Sequence, residues 1–351
     1  MNFQEHRELI KKLKRQITEP PSLDILQLLL SELQYTMQDN PDLGADERKY
    51  VFSYSGFIKR WSLQRLQQTL DPQWDKLYWD TMLFEARNRV VDSYLIYLEK
   101  NRDPEDRFYE PRRKQFLKMG FTQALQDLID DEIDILSIST VPGSGKTTLG
   151  EMFMSGFMGW FPDLCNLFSS HSGHVTRMVY QVVCNIIGIG LKPGQIPEYT
   201  WREIFPDVEV ESNNANEQEI NLGKFKPFKT LTCRALGASQ TGVTRCEGIL
   251  YCDDLCSGIE MALSKIRLDK LWTMYSTDLK TRKKKGKRGR TCKELHIATR
   301  WSVWDVIGRI KTIYQNNKRC RFISVPDIDP ATGESNFDYD YGVGFDVEYF
   351  E

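Results

Sequence analysis

Three short segments of this 351-residue chain carry side chains whose types and spacing suit chemistry on a charged substrate. The first is Thr140-Val-Pro-Gly-Ser-Gly-Lys-Thr-Thr148, which follows the apolar run from Ile133. Gly143 and Gly145 free the backbone to curl its N–H groups around an anion, and a helix opening near Lys146 points its positive end at the same place. Pro142, Gly143, Ser144, Gly145, Lys146, Thr147 and Thr148 therefore form a candidate nucleotide-binding set. Within it Lys146 would reach the β- and γ-phosphates of ATP, and the Thr147 hydroxyl would ligate Mg²⁺. The pattern departs from its usual form at Thr140, where a glycine is standard.

The second segment is Glu247-Gly-Ile-Leu-Tyr-Cys-Asp-Asp254, an apolar strand ending on two carboxylates. Opposite a phosphate loop, Asp253 would hold the Mg²⁺ shell and Asp254 would polarise an attacking water. Taken alone, the same pair reads equally well as a solvated strand end. The third segment, Leu295-His-Ile-Ala-Thr-Arg-Trp301, is a strand ending in Thr299, a candidate for sensing the γ-phosphate.

These segments need a frame. From Lys114 onward the pattern gives a helix to Asp130, a strand over 133–140, a helix over 147–160, a strand over 165–170 and a helix over 175–187. Two more apolar strands follow at 248–255 and 293–301, beyond a polar interval around residues 211–221 that reads as irregular. Strands alternating with helices argue for an α/β fold with a mostly parallel central sheet. Residues 1–105 read as helix throughout, with Leu77, Trp79, Leu83, Val90, Tyr94 and Leu98 on a core face, and a proline-containing charged stretch divides them from the α/β region over 106–325. Residues 326–351 read as an acidic tail.

Composition narrows the classes further. No apolar run reaches the ~18 residues that a membrane helix needs, and the N-terminus is charged rather than signal-like. The eight cysteines lack C-x-x-C pairs and metal-ligand spacing, which fits a reducing cytoplasm. His171 and His174 lack a third ligand and read as a polar pair on a loop; Trp301 and Trp304 read as core. The net charge of −2 conceals an asymmetry, for residues 265–321 hold 18 Lys or Arg against 4 Asp or Glu. The densest part, Lys280 to Arg290, has eight cations in eleven residues and suits sequence-independent contact with nucleic-acid phosphates, or else a solvated loop.

Together, Thr140 to Thr148, the segment Thr241 to Leu255 and His296 to Ile310 resemble the large terminase subunit, the DNA-packaging motor of tailed bacteriophages. The likeness covers about residues 108–330, with Thr299-Arg-Trp, Asp305 and Gly308-Arg309 its most specific part. It implies a P-loop additional-strand (RecA-like) ATPase, acting in the host cytoplasm as a homo-oligomeric ring. Its implied partners are a portal protein, a small terminase subunit and double-stranded DNA. It also implies Thr299 as coupling residue, Arg245 as a trans-acting finger with Arg234 as runner-up, and Gln115 as an adenine reader. Where many members carry an arginine in the phosphate loop, this chain has Pro142. The nuclease domain that the likeness implies would begin near Glu351, so no nuclease activity is expected of this chain. A helicase-type translocase and a nucleotide-binding assembly scaffold are the competing readings.

Overall fold

The computed structural model describes residues 1–238, 244–285 and 291–350, which form two compact units, Met1–Tyr97 and Leu98–Glu351. The first is helical: α1 (Phe3–Gln16), α2 (Leu23–Asp39), α3 (Ala45–Thr69), α4 (Pro72–Arg87) and most of α5 (Val91–Leu98). The Asn2 side-chain oxygen and the Glu5 carboxylate cap α1 reciprocally, and Pro72 opens α4 where a missing N–H costs nothing. Leu26, Leu29, Leu33, Ile58, Trp74 and Leu77 are buried at helical spacing. A buried Glu85 takes hydrogen bonds from Ser55, Ser93 and Lys59, so the one carboxylate inside this unit is fully engaged. Of the expected core face, Leu77, Tyr94 and Leu98 are buried while Trp79, Leu83 and Val90 are half-buried.

The second unit opens with α6 (Tyr109–Lys118) and α7 (Phe121–Ile129), broken at Gly120, whose φ of 75° no helix accepts. Then come β1 (Ile135–Ser139), α8 (Lys146–Trp160), β2 (Asn166–Ser170), α9 (Gly173–Ile187), α10 (Trp201–Ile204), β3 (Val210–Asn214), β4 (Glu219–Leu222), β5 (Leu231–Ala235) and β6 (Ile249–Asp253). After α11 (Ile259–Ala262) and α12 (Lys265–Met274), β7 (Lys293–Ala298), α13 (Val306–Tyr314) and β8 (Cys320–Ser324) complete it. One eight-stranded sheet runs in the order β3-β4-β5-β2-β6-β7-β1-β8, parallel from β5 to β8 and antiparallel at the β3-β4-β5 edge. The central strands β1, β2 and β6 are buried along their whole length, as both-face-covered parallel strands must be.

Three features of this unit differ from the sequence reading. The polar interval at 211–221 is not irregular but a hairpin, because an exposed edge strand such as β3 needs no apolar alternation, and the Asn214 side chain closes the turn onto the Asn216 and Glu217 N–H groups. The division between units falls at Tyr97/Leu98 rather than at the proline stretch, and Glu99 shows why: its carboxylate accepts the Phe108 and Tyr109 N–H groups and so ties the stretch to α6. Residues 337–345 of the acidic tail return onto α6 and the loop before α8, with Phe337 and Tyr339 buried.

Candidate functional site

The sheet order places β7 between β1 and β6, so the carboxyl ends of three strands meet where the chain reverses from strand to loop. From β1 the chain enters the loop and then α8. Gly143 has φ 77° and Gly145 has φ 85°, left-handed values that admit a glycine without strain. Thr140, where glycine is usual, has a job here: its hydroxyl lies 2.6 Å from the Ser144 hydroxyl and ties the two ends of the loop.

Lys146 opens α8 and is buried, its ammonium donating to Val141 O at 3.2 Å and to Thr299 Oγ1 at 3.1 Å. Burial lowers its pKa, against which the charges of Asp254 and Asp253 work. Asp253 ends β6 and is 2 % exposed. Burial pushes its carboxyl up to about 7, helped by the charge of Asp254 and opposed by the Thr147 hydroxyl and by Lys146. Its Oδ1 is buried without a hydrogen-bond partner. A buried oxygen left unpaired costs free energy on the order of 1–3 kcal/mol, so it marks a place built for something else.

Asp254 adopts φ 40°, a left-handed conformation rare for a residue with a side chain. Three bonds hold it there: its N–H donates to Ile297 O at 2.9 Å, its Oδ1 accepts from Thr299 N at 2.8 Å, and its carbonyl accepts from His171 Nδ1 at 2.9 Å. His171 thus positions the acidic turn. The three sequence segments therefore converge, since Lys146 bonds the Thr299 hydroxyl and Asp254 accepts the Thr299 N–H. The motif after β7 is architectural: Arg300 pairs with Asp305 at 2.8 Å, Asp305 caps α13 through the Gly308 N–H at 2.7 Å, and a Cβ at Gly308 would lie 2.0 Å from Val303 O.

Other site candidates are placed elsewhere. Arg245 lies before β6, at the opposite end of that strand from Asp253, and pairs with Glu247 at 2.5 Å. Arg234 ends β5 turned toward the hairpin, bonded to Glu217 and Glu219. Gln115 donates through Nε2 to Asp338 O at 2.6 Å, while its Oε1 is buried without a partner beside a cleft of about 600 Å³. Trp301 and Trp304 are corrected from core to surface, at 39 % and 56 % exposure; they lie on the loop between β7 and α13, outside any period that would bury them. In the basic run, Lys280 donates to Tyr314 OH, Arg282 to Asp278 O and Lys283 to the buried Glu294, so these three cations are already engaged. Residues 286–290 of that run, and 241–243 of the segment before β6, lie outside the described residues.

The aromatic wall around the loop escaped the sequence reading. The Phe345 ring packs on Gly143, the Phe108 ring and Arg112 pack on Gly145, and Tyr339 OH donates to Ser144 O at 2.7 Å. Only the density of aromatics in the tail hinted at packing. Compared with known proteins, the sequence matches no family model and no curated protein. Among the described residues, no helix is long and apolar enough to cross a membrane.

Proposed function

We propose that this chain is an Mg²⁺-dependent ATPase of the P-loop additional-strand class, serving as the motor of viral genome packaging. The observation that carries the reading is the convergence on Thr299: Lys146 from the phosphate loop and Asp254 from the end of the acidic strand each bond it, and β7, which leads directly into it, is the strand inserted between theirs. A turn between an arbitrary strand and helix gives no reason for that three-way closure.

The residues present fit a Mg-nucleotide. The orphaned Oδ1 of Asp253 and the Thr147 hydroxyl supply two hard oxygen donors, which suits a cation that takes one or two carboxylates and completes its shell with water and phosphates. When bound, the cation would neutralise charge on the phosphate oxygens. Lys146 offers its ammonium to the same oxygens from a buried position where its charge is weakly screened. Asp254, with Oδ1 fixed by the Thr299 N–H, retains a second oxygen to accept a hydrogen bond from the attacking water and aim its lone pair at the γ-phosphorus. Thr299 touches the water-orienting carboxylate and the phosphate lysine at once, so cleavage at one end is felt by the strand.

The partners belong to the same proposal: double-stranded DNA, the portal protein, the small terminase subunit and identical subunits in a ring, in the host cytoplasm. The placement of Arg245 away from Asp253 in its own chain is compatible with service to a neighbour's site. The test measures ATP hydrolysis with and without DNA and portal-bearing empty capsids, for wild type and Lys146→Ala. Stimulation by capsids and DNA that the variant lacks is expected; hydrolysis surviving in Lys146→Ala would sink the reading, and duplex unwinding without capsid stimulation would favour a helicase.

A further inference from the structure

Arg112 is held in an unusual setting. It lies on α6, whose start is fixed by Glu99 through the Phe108 and Tyr109 N–H groups. One face of its guanidinium lies over the Phe108 ring, 4.4 Å from the centroid, and the Tyr339 ring lies 5.0 Å away. Nη1 donates to Phe108 O at 2.9 Å, and Nε is buried without a hydrogen-bond partner. Among the described residues no carboxylate forms an ion pair with it. Burial accordingly lowers its pKa, opposed by Tyr339 and the more distant Glu99.

Its address explains the setting. A Cβ added to Gly145 would lie 2.8 Å from the Phe108 ring and 3.2 Å from Arg112 Nε, so the guanidinium stands beside the residue that caps the N-terminus of α8. Both partners of the arginine are tied to the same loop, because Tyr339 OH donates to Ser144 O. With its guanidinium carbon packed over the Phe108 and Tyr339 rings, what remains for recognition is the N–H edge, and a planar fork of N–H donors beside a helix N-terminus suits a phosphate group above other ligands. Desolvating a cation without a carboxylate costs stability, and the anion to offset it would arrive with the nucleotide.

Resting on the nucleotide-binding reading above, we propose that Arg112 is a phosphate ligand of the bound nucleotide, presented from α6 through the Phe108 and Tyr339 rings. Tail residue Tyr339 thereby becomes part of the nucleotide site, and the fork supplies a second cation that the loop segment itself lacks.

The test is displacement of a fluorescent ATP analogue from the full chain by ATP, by inorganic tripolyphosphate and by adenosine. Wild type is compared with Arg112→Gln, and thermal melting confirms each fold. Arg112→Gln is expected to weaken ATP and tripolyphosphate alike, by about tenfold to a hundredfold, and to leave adenosine unchanged. Should Arg112→Gln fail to fold, Arg112→Lys, which keeps the charge but not the fork, is expected to show a smaller loss with the same pattern. A loss for ATP without a loss for tripolyphosphate would place the arginine on the base, and equal affinities in wild type and variant would remove it from the site; either overturns the assignment while nucleotide binding stands. Failure of the wild type to bind the analogue would overturn both.

Discussion

The two ends of the same strands treat charge in opposite ways. At the amino end of β1, β7 and β8 the buried Lys293 pairs with Asp131 and Asp134, Arg319 reaches both of those carboxylates at 3.0 and 2.7 Å, and the Thr291 hydroxyl adds a bond of 2.7 Å to Asp134. Every charge there has an answer, and the Arg319 guanidinium, followed by Lys293 and Thr291, holds the Asp134 carboxyl well below the usual carboxylate range. At the carboxyl end Lys146 has only neutral hydrogen-bond partners among the described residues, Asp253 leaves an oxygen unpaired, and Glu151, one turn along α8 from Thr147, is pushed up to about 8 by burial and then by the charge of Asp253. One end has its charges paired by folding; the other keeps a buried oxygen unpaired.

The sharpest way to break that contrast is to disable the open end without harming the fold. Asp254→Asn keeps the oxygen that accepts from Thr299 N but loses the charge that orients water, so hydrolysis should fall by about 10²–10⁴ while urea unfolding moves by less than ~1 kcal/mol. A large stability loss would mean that Asp254 is structural. The converse variant is Lys293→Met at the closed end. It strands two carboxylates, partly covered by Arg319, and should cost about 3 kcal/mol in urea unfolding with turnover per folded molecule intact. A cost below ~1 kcal/mol would show the closed end to be as loosely balanced as the open one.

The third test uses pH. Asp253 binds its proton more tightly folded than unfolded, so the folded state holds the extra proton between about pH 4 and about 7. Without metal, stability should therefore decline as pH rises through that window and level off above it. Asp253→Asn should remove this component of the slope and stabilise the metal-free protein at pH 8 by roughly 2–4 kcal/mol, with no gain near pH 4. Melting in a chelator across pH reads it directly. A destabilised variant at pH 8 would mean that the carboxylate is already satisfied.

The open end was the legible one. Loop, acidic pair and Thr299 each sit at a strand end, where apolar runs stop on polar residues, and a period-2 or all-apolar signal marks such strands plainly. Helices α8 and α9 were legible for the same reason, through long apolar spacing. The closed end was not, because Asp131, Asp134, Lys293 and Arg319 are scattered over nearly two hundred residues and meet only through the sheet order. Hairpin β3-β4 escaped notice because its exposed strand carries no apolar pattern. The tail escaped too: its carboxylates suggested a solvated linker, whereas Phe337, Tyr339 and Phe345 determine where it goes, since burying aromatic rings outweighs leaving their neighbours' charges at the surface.

That last point yields the mildest test of the contrast. If the open end is held ready from outside by the tail, weakening one tail contact should loosen the loop without touching the closed end. Tyr339→Phe keeps the ring beside Arg112 and removes only the hydroxyl that donates to Ser144 O, worth about 1 kcal/mol. Amide exchange should speed up around Ser144 to Lys146 by a factor of a few, with protection at Ile135 and Lys293 unchanged. Uniform acceleration across both ends would mean that the loop and the closed end open together, as one cooperative unit, and the tail would then be a brace for the whole sheet rather than for the site.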